Sequence, residues 1–365
     1  MTFRDVVSRI WRDNVLFSVL VELTYRCNLD CFFCYNDLAL TGRSMRLADY
    51  LRFFDDLEAM QVMNLTLSGG EPLAHPDFFA IGSAARERGF VVRVKSNGHA
   101  LRGEIARRLR DEVDPFLVEV SLHGACAATH ERQTRVPGSF DRLLENLRGF
   151  RELGLRFRIN STLTLWNEGE VEEMYAIADS LQAPIQFDTS VTPRDNGDME
   201  PLNVAPSPDG VAGLVRHQFA RARARGEAIP DLERAAEDAE RIPAPEEKHC
   251  GAGSSNVAVD PYGNVYPCVA WRVPAGNLHR ASIREIWSGS EALRGVRTAT
   301  VHVKRMLDAE GELGRVLSYC PGLSVNRTGR PDSITDDQRA RGETILGATH
   351  SAAARGDEEP AVRTR

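Results

Sequence analysis

Apolar positions along this chain recur with two periods. Runs at 19–24, 64–67, 91–95, 117–121, 156–163 and 185–189 are apolar or alternate as strands do, and stretches at 47–60, 76–88, 103–111, 140–153 and 168–181 repeat apolar positions at helical spacing. Six strands joined by helical crossovers predict an α/β fold with a parallel sheet and right-handed connections, curved into a barrel or open and doubly wound. Ahead of them, residues 2–12 predict a short amphipathic helix with Val6, Val7, Ile10 and Trp11 on one side. Past residue 203 the rhythm changes. Pro206 and Pro208 introduce a helix of Ala, Arg and Val, 242–249 reads as a linker, and VAVDPYGNVYPCVAW predicts a β-hairpin turned at Pro-Tyr-Gly-Asn. The stretch 282–297 predicts one amphipathic helix with Ile283, Ile286, Trp287 and Leu293 on its buried face. After Arg327, charge, Gly, Thr and Ala dominate, the composition of a disordered tail.

Composition narrows the function classes. A chain of 365 residues, 42% of them hydrophobic, can bury a substantial core in two domains or in one large α/β unit with an appendage. No apolar run approaches the ~18 residues of a membrane span. The first residues carry charges where a signal peptide needs an apolar core, so a cytoplasmic location is expected. A net charge of −7 gives no general attraction for nucleic acid, and Arg221, Arg223 and Arg225 fall on a predicted helix as a solvated face. Seven cysteines, an odd number, do not read as a disulfide framework.

Three of those thiols define the candidate chemistry. Cys27, Cys31 and Cys34 lie on one loop directly after the first strand, spaced C-x3-C-x2-C. Such a trio can converge on one metal centre and leave a coordination position open, as a reactive centre requires. Structural zinc takes four protein ligands, and no fourth Cys or His follows closely, so an open iron–sulfur cluster is the better reading. After the second strand comes Ser68-Gly69-Gly70-Glu71-Pro72, which alone reads equally as a strand-to-helix turn or as a ligand-holding loop.

Cys27, Cys31, Phe33 and Cys34 (C-x3-C-x-aromatic-C), followed one βα unit later by Gly69-Gly70-Glu71-Pro72, resemble the signature of the radical S-adenosylmethionine (radical SAM) superfamily. The resemblance implies a partial (β/α)6 barrel over roughly 19–192. It implies a 4Fe-4S cluster on the three cysteines, SAM on the open iron, and a 5′-deoxyadenosyl radical that abstracts hydrogen. The GGEP turn would hold the methionine amino group, and Ser96, Asn97 and Ser121 at strand ends would contact SAM. Arg132, with Arg135 as its rival, would pair with the SAM carboxylate. Asn160, Thr162 and Leu163 would line the adenosine, and Arg194 would reach cofactor or substrate. His123 reads as a proton carrier or a structural histidine, and Cys126 as a buried or half-buried thiol.

A second group begins at Cys250. Cys250, Gly263 and Cys268 resemble the opening of the SPASM and twitch extensions, which hold auxiliary 4Fe-4S clusters, and Cys320 is the one later thiol. A full SPASM extension has seven cysteines. Here Leu317 and Asn326 stand where others are expected, so the resemblance supports one auxiliary cluster on Cys250, Cys268 and Cys320, its fourth iron open or bound by His249 or another group. Zinc and a metal-free hairpin remain open as alternatives. The expected domains are a helix at 1–18, the radical SAM barrel at 19–203, a helical linker at 204–248, a small hairpin/helix auxiliary domain at 249–326, and the tail at 327–365. The resemblance implies a radical SAM enzyme acting on a peptide or protein side chain, with an electron donor such as flavodoxin or ferredoxin. A small molecule of a cofactor, carbohydrate or antibiotic pathway is the alternative substrate, and a non-catalytic iron–sulfur carrier or sensor the alternative class.

Overall fold

A computed structural model describes residues 3–227, 244 and 246–357, so the expected linker falls partly outside the described residues. The barrel half comprises α1 (Phe3–Arg12), β1 (Ser18–Glu22), α2 (Leu47–Ala59), β2 (Asn64–Ser68), α3 (Phe78–Glu87), β3 (Val91–Ser96) and α4 (Gly103–Arg108). It continues through β4 (Leu117–Ser121), α5 (Ala127–Thr134), α6 (Ser139–Glu152), β5 (Phe157–Thr162), α7 (Val171–Ser180), β6 (Ile185–Asp188) and α8 (Pro208–Arg225). The second half holds β7 (Asn256–Val259), β8 (Asn264–Tyr266), β9 (Gly276–Asn277), α9 (Ile283–Gly289), α10 (Glu291–Ala309), α11 (Glu312–Val316), α12 (Pro321–Thr328) and α13 (Asp336–Asp357).

One sheet runs β6-β5-β4-β3-β2-β1-β7-β8-β9. Its first six strands are parallel and in chain order, and β6 does not return to pair with β1, as in a partial barrel. Strand alternation splits the sheet into two faces. Val19, Val21, Leu65, Leu67, Val92, Val94, Val118 and Val120 are buried in the main core together with Tyr50, Phe53, Phe54 and Leu57 of α2. Each large side chain so buried contributes about 1.5–3 kcal/mol. The opposite, inner face is polar: register aligns Glu22 with Ser68, Lys95 with Glu119, Glu119 with Arg158, and Ser121 with Asn160.

The structure differs from the sequence expectation in four places. The auxiliary hairpin does not stand apart, because β7 pairs in parallel with β1 and extends the barrel sheet. Helix α5 occupies a stretch to which the apolar pattern assigns no element: AATHERQT has few apolar positions, and its burial comes from polar His130, Gln133 and Thr134. The helix expected at 282–297 is two helices, broken where Ser290 leaves helical geometry and accepts a hydrogen bond from Leu293 N as an N-cap. Of the tail expected to be disordered at 327–365, residues 336–357 form α13, packed against α8 and α11, with Ile345 set against the main core, and 358–365 lie outside the described residues. A few spaced apolar groups and the small residues between them suffice once a partner helix is present.

Candidate active site

Between β1 and α2 the loop carrying Cys27, Cys31 and Cys34 is held from three sides. On the β2 side, Gly70 N donates to Thr24 O at 2.7 Å and Glu71 N to Arg26 O at 2.9 Å. This approach demands the glycine pair: Gly69 sits at φ +131° with a Cβ position blocked by Thr24 O, and a Cβ on Gly70 would lie 2.7 Å from the carbonyls of Tyr25 and Arg26. The pair therefore serves the cysteine loop itself. From α5, Thr134 O and Gln133 O accept from Asp30 N at 3.1 Å and Phe32 N at 2.9 Å. From the segment after β6, Arg194 Nη2 donates to Phe32 O at 3.3 Å and Asp195 N to Tyr35 O at 2.8 Å.

Glu71 links this loop to the end of β3. Its buried carboxylate accepts from Ser96 Oγ at 2.9 Å, Asn97 N at 2.8 Å and Leu73 N at 3.2 Å. Burial pushes its pKa up to about 7 despite those three donors. Fixed in this way, Asn97 Nδ2 donates to Asn28 Oδ1 at 2.8 Å and approaches Cys27 Sγ at 3.6 Å, while Leu29 N donates to the same sulfur at 3.4 Å. Donors aimed at sulfur favour the thiolate that metal ligation needs. Burial raises the pKa of all three thiols, and for Cys31 the neighbouring Cys34 and Cys27 add to it. A cationic metal centre relieves that mutual repulsion.

The other expected site residues divide. Ser121, Asn160 and Thr162 lie half-buried on the inner face, with Asn160 Nδ2 donating to Glu119 Oε2 at 2.9 Å. Pro72 begins the short 3-10 turn Pro72–Ala74. The Phe33 ring meets His123 edge-on, centroids 4.8 Å apart. His123 is structural: buried, it takes a hydrogen bond from Thr162 N at 3.4 Å, and burial lowers its pKa to about 4. Leu163 is sealed in the main core, because alternation along β5 turns it opposite to Thr162. Arg132 is exposed and stacks over Trp166 at 4.2 Å, and Trp166 packs on Phe32 at 5.1 Å. Arg135 pairs with Asp30 at 3.3 Å and covers the Phe32 ring. Arg194 is committed to Asp198, Glu200 and the loop carbonyl. Arg135 and Arg194 thus brace the cysteine loop directly and Arg132 does so through Trp166, each drawn to the carboxylates or rings it meets there. Cys126 is exposed at the start of α5, against the buried or half-buried thiol expected.

Sequence reading missed a buried ionic knot. Glu22, the last residue of β1, is fully buried and takes Arg272 Nη2 at 2.8 Å and Nη1 at 3.0 Å. Tyr25 and Tyr35 from the cysteine loop donate to the same carboxylate at 3.0 and 3.2 Å, and Arg272 also meets Asp195 at 3.1 Å. Arg272 and Asp195 are far from Glu22 in the chain, and no local pattern announces that they meet it.

The second trio is assembled by tertiary structure. Cys250 and Cys268 pack on one small apolar cluster with Ala252, Trp271 and Val296. Cys320 precedes α12, where Gly322 comes so close to Ala270 O that no side chain would fit. Burial pushes the Cys250 thiol up to about 12, reinforced by Cys268 and Cys320. Burial also raises Cys268, opposed by hydrogen bonding from the Ala270 backbone and by the charges of Arg272 and Lys95. His249 Nε2 is engaged with Tyr319 O at 2.9 Å, and Leu317 lies in a separate apolar cluster. Among the described residues no three Cys, His or carboxylate side chains already stand at metal-holding spacing. Both trios nevertheless consist of free thiols, the donor chemistry of an iron–sulfur cluster.

The Radical SAM superfamily model matches residues 21–178, and the SPASM model, an iron-sulfur cluster-binding domain, matches 250–309. Mycofactocin maturase MftC of Mycolicibacterium smegmatis is 30% identical over 292 residues, covering 76% of this chain and 71% of that protein. This chain belongs to the radical SAM superfamily. It is 29% identical over 297 residues to the AdoMet-dependent heme synthase of Methanosarcina barkeri, covering 76% of this chain and 83% of that protein. It is also 28% identical to the PqqA peptide cyclase of Ruegeria pomeroyi, covering 77% and 76%. The radical SAM fold is shared with native anSMEcpe with bound AdoMet (TM-score 0.70, 16% identity, covering 93% and 99%) and with Streptococcus suis SuiB bound to precursor peptide SuiA (TM-score 0.66, 15% identity, covering 81% and 70%). A radical SAM enzyme of this kind uses a 4Fe-4S cluster and SAM, and the SPASM region implies an auxiliary iron–sulfur cluster. When bound, the cluster and SAM supply an electron-triggered cleavage of the sulfonium that yields a hydrogen-abstracting radical.

Proposed function

We propose that this radical SAM enzyme abstracts hydrogen from a peptide substrate. Cys27, Cys31 and Cys34 hold the catalytic cluster, and SAM lies over the strand ends against Gly69, Gly70, Ser121, Asn160 and Thr162. Glu71, Ser96 and Asn97 act as a connected unit that fixes the loop and its first cysteine. Arg132, Arg135 and Arg194 keep the loop closed around the site, excluding water from it. Cys250, Cys268 and Cys320 hold one auxiliary cluster, and a flavodoxin or ferredoxin delivers the electron.

The observation that carries the enzyme reading over a simple carrier is the junction of the cysteine loop with the Gly69–Pro72 turn above a polar inner sheet face. An electron carrier needs no such face. The peptide is favoured by the relative named as a PqqA peptide cyclase. A small molecule of a cofactor pathway is the second reading, favoured by the heme synthase relative. The test is anaerobic reconstitution with iron and sulfide, reduction, and assay for 5′-deoxyadenosine. Deuterated candidates, short peptides encoded beside the gene and tetrapyrroles, are then offered. Deuterium transferred to 5′-deoxyadenosine from a peptide supports the reading, and transfer from a tetrapyrrole alone overturns it.

A further inference from the structure

The inner sheet face carries a group of charges that the site described above does not use. Glu119 on β4 is buried, yet three cations surround it: Arg158 Nη2 at 2.9 Å, Lys95 Nζ at 3.3 Å and Arg93 Nη1 at 3.7 Å. One carboxylate against three cations leaves a local surplus of positive charge. The surplus is accessible, since the Lys95 side chain is 46% exposed while Glu119 is 5% exposed. Three cations around one carboxylate, with the Lys95 ammonium half open, give the inner face the charge and the donor to hold an anionic group.

Position gives the group meaning. Lys95 precedes Ser96 and Asn97, whose side chains fix Glu71 and approach Cys27. The cationic group therefore lies on the inner face beside the strand end that braces the first cysteine loop, where a substrate reaching that site would be held. We propose that Lys95, with Arg158 beside it, anchors a carboxylate of the substrate on the inner face beside the first cluster site. Resting on the peptide reading, the carboxylate is an Asp or Glu side chain or the C-terminus, the anions an unmodified peptide carries. Glu119 is the positioning residue: it holds the cations together, and its own negative charge disfavours a doubly charged phosphate.

The test uses reconstituted full-length protein and two probes. Saturation-transfer NMR with N-acetyl-glutamate α-amide should give a signal in the wild type. The signal should weaken about tenfold in Lys95→Met and be absent with the uncharged glutamine analogue. Unchanged iron content and melting temperature establish that Lys95→Met is folded, and Lys95→Arg should restore binding. Equal signals from the charged and uncharged probes, or no effect of Lys95→Met, overturn the proposal. In parallel, a random twelve-residue peptide library is selected on the SAM-saturated protein. An acidic position enriched on wild type and lost on Lys95→Met supports the anchor within a peptide, and enrichment without an acidic preference overturns it. If the glutamate probe binds through Lys95 but no peptide is selected, the carboxylate site stands and the peptide reading falls.

Discussion

The two cysteine trios, proposed to hold the same kind of group, are built by opposite means. Cys27, Cys31 and Cys34 are delivered by eight consecutive residues, 27–34, and the surrounding structure restrains a loop that is already local. Cys250, Cys268 and Cys320 come from three separate segments, Cys250 and Cys268 on the Trp271 cluster and Cys320 at the start of α12. A local trio can be lost without loss of the fold; a dispersed one is part of the fold. The largest expected effect follows: Cys27→Ala should abolish 5′-deoxyadenosine formation, while the Cys27/Cys31/Cys34 triple Ala variant retains about four irons on the second trio. Iron and sulfide counts check this, and retention of none would remove the auxiliary cluster.

Arg272 is where the two regions meet. It leaves the auxiliary segment, reaches the buried Glu22 at the root of the first cysteine loop, and pairs with Asp195 behind it. Arg272→Gln strands a buried carboxylate, for which a loss of roughly 3–5 kcal/mol is expected. Denaturant unfolding measures it. If the regions are joined through this knot, the variant should also bind less iron at both trios, whereas loss at one alone would show that they are built independently.

The local trio was readable because spacing in the chain is spacing in the loop, and the six strands because their alternation is strict. The rest depends on contacts between distant segments. No local signal links Glu22 to Arg272, nor shows that β7 would join β1 to continue the barrel sheet. Arg132, Arg135 and Arg194 were assigned by charge, yet each found its partners in Trp166, Asp30 or Asp198, which sequence position does not reveal. Helix α5 and the tail helix α13 are held by polar or sparse contacts that a hydrophobic pattern cannot see.

The braces of the first loop also titrate. Glu71 has a folded pKa raised by burial to about 7, from 4.5, and Asp195 is likewise raised by burial to about 7, from 3.8. A carboxyl group with a raised folded pKa binds its proton more tightly in the native state, so its favourable contribution is complete below the unfolded pKa and is lost as pH rises through 7. Metal-free protein should therefore lose stability from about pH 4 to about pH 7.5, with roughly 3 kcal/mol of the total change from Glu71. Glu71→Gln should flatten the slope, and a profile unchanged by it would mean that Glu71 is charged throughout.

The smallest effect tests what the glycine pair is for. A methyl group on Gly70 would press on the carbonyls of Tyr25 and Arg26, and the loop must shift to admit it. Gly70→Ala should cost about 1–3 kcal/mol, a typical overpacking penalty. The sharper readout is selective: iron affinity of the first trio falls while that of Cys250, Cys268 and Cys320 does not, since the displaced backbone belongs to one region alone. If the glycines served only SAM, the variant would bind iron normally at both trios and lose SAM affinity instead, so iron titration and SAM binding on one sample separate the two roles.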